Sequence, residues 1–261
     1  MECKKVAIIL AAGLGSRLMP LTQTEHKCMT KVCGTPIIYN TLINLERQHF
    51  NEVIIVGGYL REQLKKQILG FDLPLKITFA NNEIYNQTNT TFSLKKGIEK
   101  LQEYDELYVI EADVFFDKEV LDRLVFSKCE NATILEPYNE KLEGTFVEVD
   151  KNHFVTDWRH KSEQYEGYIL EDKYKTVNLH KFSKTFVTSD LIPSIDFVLK
   201  ENGMKKPIEA VMKVIVENHP SLIAAEILNG EKWYEIDDMH DLSVAEEIFK
   251  EAGENRSNAK L

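Results

Sequence analysis

KKVAIILAAGLGSRLMPLTQTEHK, residues 4–27, joins a buried-strand pattern to a polar loop that holds Gly13, Gly15, Arg17 and Lys27. Glycines directly after a strand let backbone N–H groups approach phosphate oxygens with no Cβ in the way. Arg17 offers a fork for two phosphate oxygens, and Lys27 a mobile point charge. A dinucleotide loop requires G-x-G-x-x-G, but Leu18 holds the third position. The second strand, EVIIVGGY, ends in Gly57 and Gly58 where a ribose-binding acid would stand. The G-x-x-x-x-G-K-[ST] pattern is absent as well. The loop reads as a phosphate cradle of another kind.

Strand and helix patterns alternate outward from this loop. Strands are expected over 52–58, 75–80, 106–113 and 132–137, and helices over 35–50, 59–70, 92–101 and 118–127. This order implies right-handed crossovers and a parallel sheet covered on both faces, with ligands at the carboxyl ends of the strands. Residues 11–27, 80–91 and 111–115 would converge there. After residue 140 the pattern changes to antiparallel strands, two helices, two further strands and a last helix from about Met239. We therefore expect an α/β core over 1–140 and an acceptor-binding or lid lobe over 141–235 within the same domain. A closing helix over 236–252 and a frayed or vector-derived tail over 253–261 would follow, the latter the end of an excised first domain.

A chain of 261 residues suits one main domain with a subordinate lobe. No apolar run approaches the ~20 residues of a membrane span, and the first residues do not form a signal peptide. Four cysteines without C-x-x-C spacing read as reduced thiols in a cytoplasmic protein. A net charge of −10 argues against nucleic acid or an anionic membrane as partner, though not against a small anion met by a local positive site. The histidines lack zinc spacing, and no G-x-S-x-G elbow exists. Asp113 closes the fourth strand, in VIEADVFFD (109–117), at the expected ligand edge. A carboxylate there suits Mg²⁺, which takes few protein oxygens and leaves the rest to phosphates. Glu111, two residues earlier, shares its face.

LAAGLGSRLMPLT (10–22), with Lys27 after it, resembles the signature loop of the sugar-nucleotidyltransferase-like superfamily, L-A-A-G-x-G-[ST]-R-[LM]-x-P-[LM]-T and a following lysine. His26 stands where that family usually has proline. The resemblance covers most of the chain. It implies a Rossmann-like, mostly parallel sheet flanked by helices with a small α+β acceptor-binding lobe. It also implies nucleotide contacts from Leu10, Ala11, Ala12, Gly13, Gly15, Ser16 and Ala112, and catalytic roles for Arg17 and Lys27. Asp113 and Asp237, the latter in YEIDDMHDL (234–242), match the metal-binding aspartates, with Asp238 and Asp241 as caps of the last helix.

NNEIYNQTNTTFSLKKG (81–97) is similar to the N-x-x-Y-x-x-[TY]-N-[NT]-x-x-S-L element of small CTP-dependent cytidylyltransferases, which carries over Asn82, Thr88 and Asn89 as nucleotide or acceptor contacts. The implied reaction is Mg²⁺-dependent transfer of CMP from CTP to 2-aminoethylphosphonate, releasing pyrophosphate. Phosphocholine or a sugar 1-phosphate are alternative acceptors, and a catalytically silent nucleotide-binding regulatory subunit is the alternative of another class. YKTVNLHKFS (174–183) resembles 2-aminoethylphosphonate cytidylyltransferase domains, some of which are fused to a C-terminal transaminase. Acceptor contacts are expected from Trp158, Tyr168, His180, Lys181 and Glu235.

Overall fold

The computed structural model describes residues 3–256. The tail expected over 253–261 lies outside the described residues from 257 onward. Strand β1 (Lys5–Ala11) is followed by the paired two-residue strands β2 (Lys31–Val32) and β3 (Thr35–Pro36) and by helix α1 (Ile37–Arg47). Then come β4 (Glu52–Gly57), α2 (Arg61–Leu69), β5 (Ile77–Asn81), α3 (Thr90–Ile98), β6 (Glu106–Glu111), β7 (Val114–Phe116) and α4 (Lys118–Val125). The remainder runs β8 (Ala132–Pro137), β9 (Phe146–Val149), β10 (Val155–Arg159), β11 (Tyr174–Ser183), α5 (Lys184–Phe186), α6 (Ile192–Glu201), α7 (Ile208–Asn218), β12 (Ala224–Ile227), β13 (Trp233–Glu235) and α8 (Met239–Arg256).

Helix α3 begins at Thr90, two residues before the expected start, because the Asn89 side chain accepts from the Thr90 N–H and caps it. The strand expected over 106–113 stops at Glu111, and Val114–Phe116 forms a separate strand that pairs with β13. That break shapes the site.

Strands β6, β1, β4 and β5 form a parallel core, as the alternating pattern predicts. Strand β11 adds antiparallel to β6 and joins β8 and β9 to it, so the antiparallel strands after residue 140 extend one nine-stranded sheet. Alternate residues of β1 feed opposite cores. Ile9 packs with Ile38, Leu42 and Ile110 on one face. Ile8 packs with Leu94, Val211 and Ile215 on the other. A third cluster joins Leu18 and Val32 to Phe115, Ile236 and Phe249. Leu18, the residue that breaks the dinucleotide pattern, thus anchors the glycine loop to the closing helix.

His180 lies within the second face's core, stacked on Phe182 with its Nδ1 2.9 Å from Thr133 Oγ1. Burial pushes its imidazole down to about 3 from an ordinary value of 6.5. Below pH 6.5 the unfolded chain therefore takes up a proton that the folded chain refuses until about pH 3. Stability falls as the pH drops through that window. His180→Gln keeps a partner for Thr133 and removes the titration, so urea unfolding of the variant loses at most about 1.4 kcal/mol less per pH unit than the wild type.

Candidate functional site

A cleft of about 540 Å³ opens at the carboxyl ends of β1, β5 and β6. Leu10, Ala11, Ala12, Gly13, Gly15, Ser16, Arg17 and Lys27 line it from the first loop. Gly15 takes φ 63°, and a Cβ there would lie 2.9 Å from Lys27 Cβ. The loop therefore presses directly on the Lys27 stem. His26 adopts φ −68° and ψ 141°, and that φ is the one proline would impose. Its Nδ1 also accepts from the Cys28 N–H and caps the turn that carries Lys27. Burial pushes His26 down to about 4, which keeps the ring a neutral acceptor near neutral pH.

Lys27 Nζ lies 2.7 Å from Asp113 Oδ2 and 2.7 Å from Asp237 Oδ1. Arg17 approaches Asp237 Oδ1 at 2.8 Å. Strand pairing makes this possible. Val114 opposes Glu235 in the β7–β13 ladder, and the Ile236 N–H donates to the Asp113 carbonyl at 2.9 Å. Asp241 accepts from the N–H groups of Asp237 and Asp238, while Asp238 accepts from those of His240 and Asp241. Burial alone would depress the Lys27 ammonium, but the two aspartates outweigh it and hold it above its ordinary range. Burial opposes charge on Asp237 too, and Lys27 and Arg17 reverse that, holding its carboxyl low.

Carboxylate oxygens of Glu111, Asp113 and Glu235 lie within 4.8 Å of one another, and Asp113 Oδ1 is buried with no partner. Burial, then the carboxylates of Glu209, Asp113 and Glu235, push Glu111 well above the usual carboxylate range. Burial likewise raises Glu235, against the pull of Lys175. These are hard oxygen donors, the set that suits a divalent cation such as Mg²⁺.

Asn82 is 1% exposed, and its Nδ2 donates to Thr88 Oγ1 at 2.9 Å and Ser93 Oγ at 3.0 Å. Thr88 Oγ1 donates to the Ile84 carbonyl, so it accepts from Asn82, which orients the amide. The Asn82 Oδ1 has no partner. Thr88, Asn89 and Ala112 also line the cleft.

The nucleotidyl transferase family profile matches residues 6–166. The chain belongs to this family. The nucleotidyltransferase is 29% identical over 244 residues to a Streptomyces rubellomurinus protein named CMP-5'-(3-aminopropyl)phosphonate synthase, across 93% of this chain and 38% of that protein. It is also 29% identical to a Campylobacter jejuni protein named CTP:phosphoglutamine cytidylyltransferase, across 91% of this chain and 98% of the relative. Its fold is that of the solved CTP:phosphocholine cytidylyltransferase from Streptococcus pneumoniae, with a TM-score of 0.73 at 23% identity over 94% of this chain and 99% of the other. Among the described residues, no helix is long and apolar enough to cross a membrane.

The nucleotidyltransferase's far cleft wall differs from the sequence expectation. Of the five expected acceptor contacts, Glu235 lines the cleft and four residues do not. Trp158 is 1% exposed within the core beneath α7, and His180 stacks in that same core. Lys181 turns to the opposite end of the sheet, where its Nζ meets Glu106 Oε1 at 3.0 Å. Tyr168 lies outside the cleft lining, its ring against Lys173 and Arg159. Trp158 and His180 fill space under the sheet.

Thr145, Lys175, Asn178 and Glu209 form that wall instead, with Glu111 and Glu235. The β11 register shifts between Thr176 and His180, and Asn178 takes φ 64°, a bulge that turns Asn178 toward Glu111 and Glu235 at 3.4 and 3.5 Å. An asparagine inside a strand was the sequence signal for this bulge. Lys175 is 3% exposed and pairs with Glu235 at 3.1 Å. Glu235→Ala leaves that ammonium with the Thr176 carbonyl as its hydrogen-bond partner and lowers stability by about 3 kcal/mol in urea unfolding, more than Glu235→Gln, which keeps a second polar partner.

Proposed function

We infer that this nucleotidyltransferase transfers CMP from CTP to a small phosphonate or phosphate that carries an amine, 2-aminoethylphosphonate first among them. The observation that carries this reading is the polarity of the cleft. One end holds Arg17 and Lys27. At the other end Glu111 and Glu209 have no ion-pair partner among the described residues, and Glu209 Oε2 is buried without a hydrogen bond. An acceptor with an anionic head and a cationic tail satisfies both ends. The aminopropylphosphonate in the Streptomyces relative's name agrees with such an acceptor.

Phosphocholine ranks second. A trimethylammonium group favours an aromatic cage, and the acceptor wall offers carboxylates, an amide, a hydroxyl and the Lys175 ammonium, with Tyr85 and His160 as the rings that line the cleft. The CTP preference is supported by Asn82. Its oriented Oδ1 is an acceptor that suits the exocyclic amine of cytosine and opposes the carbonyl oxygen of uracil.

In this reading a phosphonate or phosphate oxygen of the acceptor attacks the α-phosphorus of CTP, and pyrophosphate leaves in line. Such an oxygen is already ionised and nucleophilic near neutral pH, with a second pKa of about 6, so no general base is required. Catalysis rests on positioning and on charge stabilisation. Lys27 and Arg17 move from the aspartates to the triphosphate and hold the charge that gathers on the departing pyrophosphate. Asp113 and Asp237 would hold Mg²⁺, which supplies neutralisation of phosphate charge. Glu209 and Glu111 anchor the acceptor amine and set the distance of its phosphonate from the α-phosphorus.

Pyrophosphate release is measured with each nucleoside triphosphate against 2-aminoethylphosphonate, phosphoethanolamine, phosphocholine and glucose 1-phosphate. The expected result is fastest turnover with CTP and 2-aminoethylphosphonate. Absence of turnover with every acceptor in the presence of Mg²⁺ would overturn the reading. Asp113→Ala and Lys27→Ala each lower kcat by at least ~10²-fold. Glu209→Gln raises KM for the amino acceptor by about 10-fold or more and leaves KM for CTP unchanged, since it removes one charge-assisted contact at the far wall.

A further inference from the structure

Lys27 occupies the place between Asp113 and Asp237 where a metal ion would find its oxygens. Its Nζ lies 2.7 Å from one carboxylate oxygen of each, and its side chain is 14% exposed. Arg17 adds a second cation to Asp237. The two aspartates thus already face two cations, and their charges cancel before any ion arrives. Lys175 similarly pairs with Glu235. The Lys27 stem is held from behind by the Gly15 backbone, which leaves no room even for a Cβ. Asp113 Oδ1 stays without a partner, but an ion there would share its carboxylate with the Lys27 ammonium.

We propose that Lys27 is a built-in counter-ion that keeps Asp113 and Asp237 closed to divalent ions in the nucleotide-free protein. A divalent ion arriving alone meets a fixed positive charge, and displacing it strands an ammonium away from water. A triphosphate changes this balance, because it gives Lys27 and Arg17 other anions and frees the aspartates. Metal and nucleotide then enter together, and each strengthens the binding of the other by the same factor. The inference rests on the reading above that these carboxylates hold the metal.

The test titrates nucleotide-free protein with Mn²⁺ and follows the electron paramagnetic resonance of the free ion. Lys27→Met keeps an unbranched stem and removes the charge. It is expected to bind Mn²⁺ at least ~10-fold more tightly than the wild type, and Asp113→Asn in the Lys27→Met background is expected to abolish that gain. Lys27→Gln provides a second neutral variant, and circular dichroism confirms that each variant is folded. Equal Mn²⁺ affinity in the wild type and both folded neutral variants overturns the proposal, whether that affinity is high or undetectable. So does a gain that survives Asp113→Asn. Turnover that persists after exhaustive chelation overturns instead the reading that a metal acts here. Metal-dependent turnover with equal affinities overturns the counter-ion alone.

Discussion

Two carboxylates drawn close together and partly out of water require a cation between them, and Lys27 meets that requirement for Asp113 and Asp237. The surrounding structure is arranged around this ammonium. The β7–β13 ladder and the hydrogen bond from Ile236 N–H to the Asp113 carbonyl set the spacing of the two acids. His26 caps the turn beneath Lys27, and Gly15 lets the first loop lie against its stem. Leu18 fastens that loop to Phe249 and Ile236, so the first loop and helix α8 are held by one apolar cluster. An early loop, a central strand end and a late strand thereby meet at one charge.

The cleft is polarised along its length as a consequence. Arg17 and Lys27 sit at the first loop, and Glu111, Glu235 and Glu209 gather around Lys175 at the far wall. The bulge in β11 turns Asn178 into the space between Glu111 and Glu235, bridging two acids that would otherwise face each other directly. Burial and mutual repulsion push Glu111 upward, so this end of the cleft is relieved by an incoming cation. The low-dielectric setting strengthens that repulsion.

The legible and illegible parts of the site separate by how they are encoded. The first loop was legible because its glycines, arginine and lysine are local in sequence and follow a strand of plain apolar pattern. Every residue expected from that loop lines the cleft, as do Asn82, Thr88 and Asn89. The far wall was not legible. Trp158 and His180 have the chemistry of a binding site, yet the pleat and register of β10 and β11 direct both into the core. Lys175 and Asn178 occupy the same strand as His180 and reach the cleft because of the bulge between them.

The sequence by itself determined the alternating α/β order, the glycine loop and its kind, and membership of a nucleotide-handling class, since these rest on periodicity and on contiguous residues. Tertiary structure alone decided which acids meet and which side chains line the far wall of the cleft. Those outcomes depend on strand register between segments distant in the chain, and a shift of one residue in register sends a side chain to the other face of the sheet.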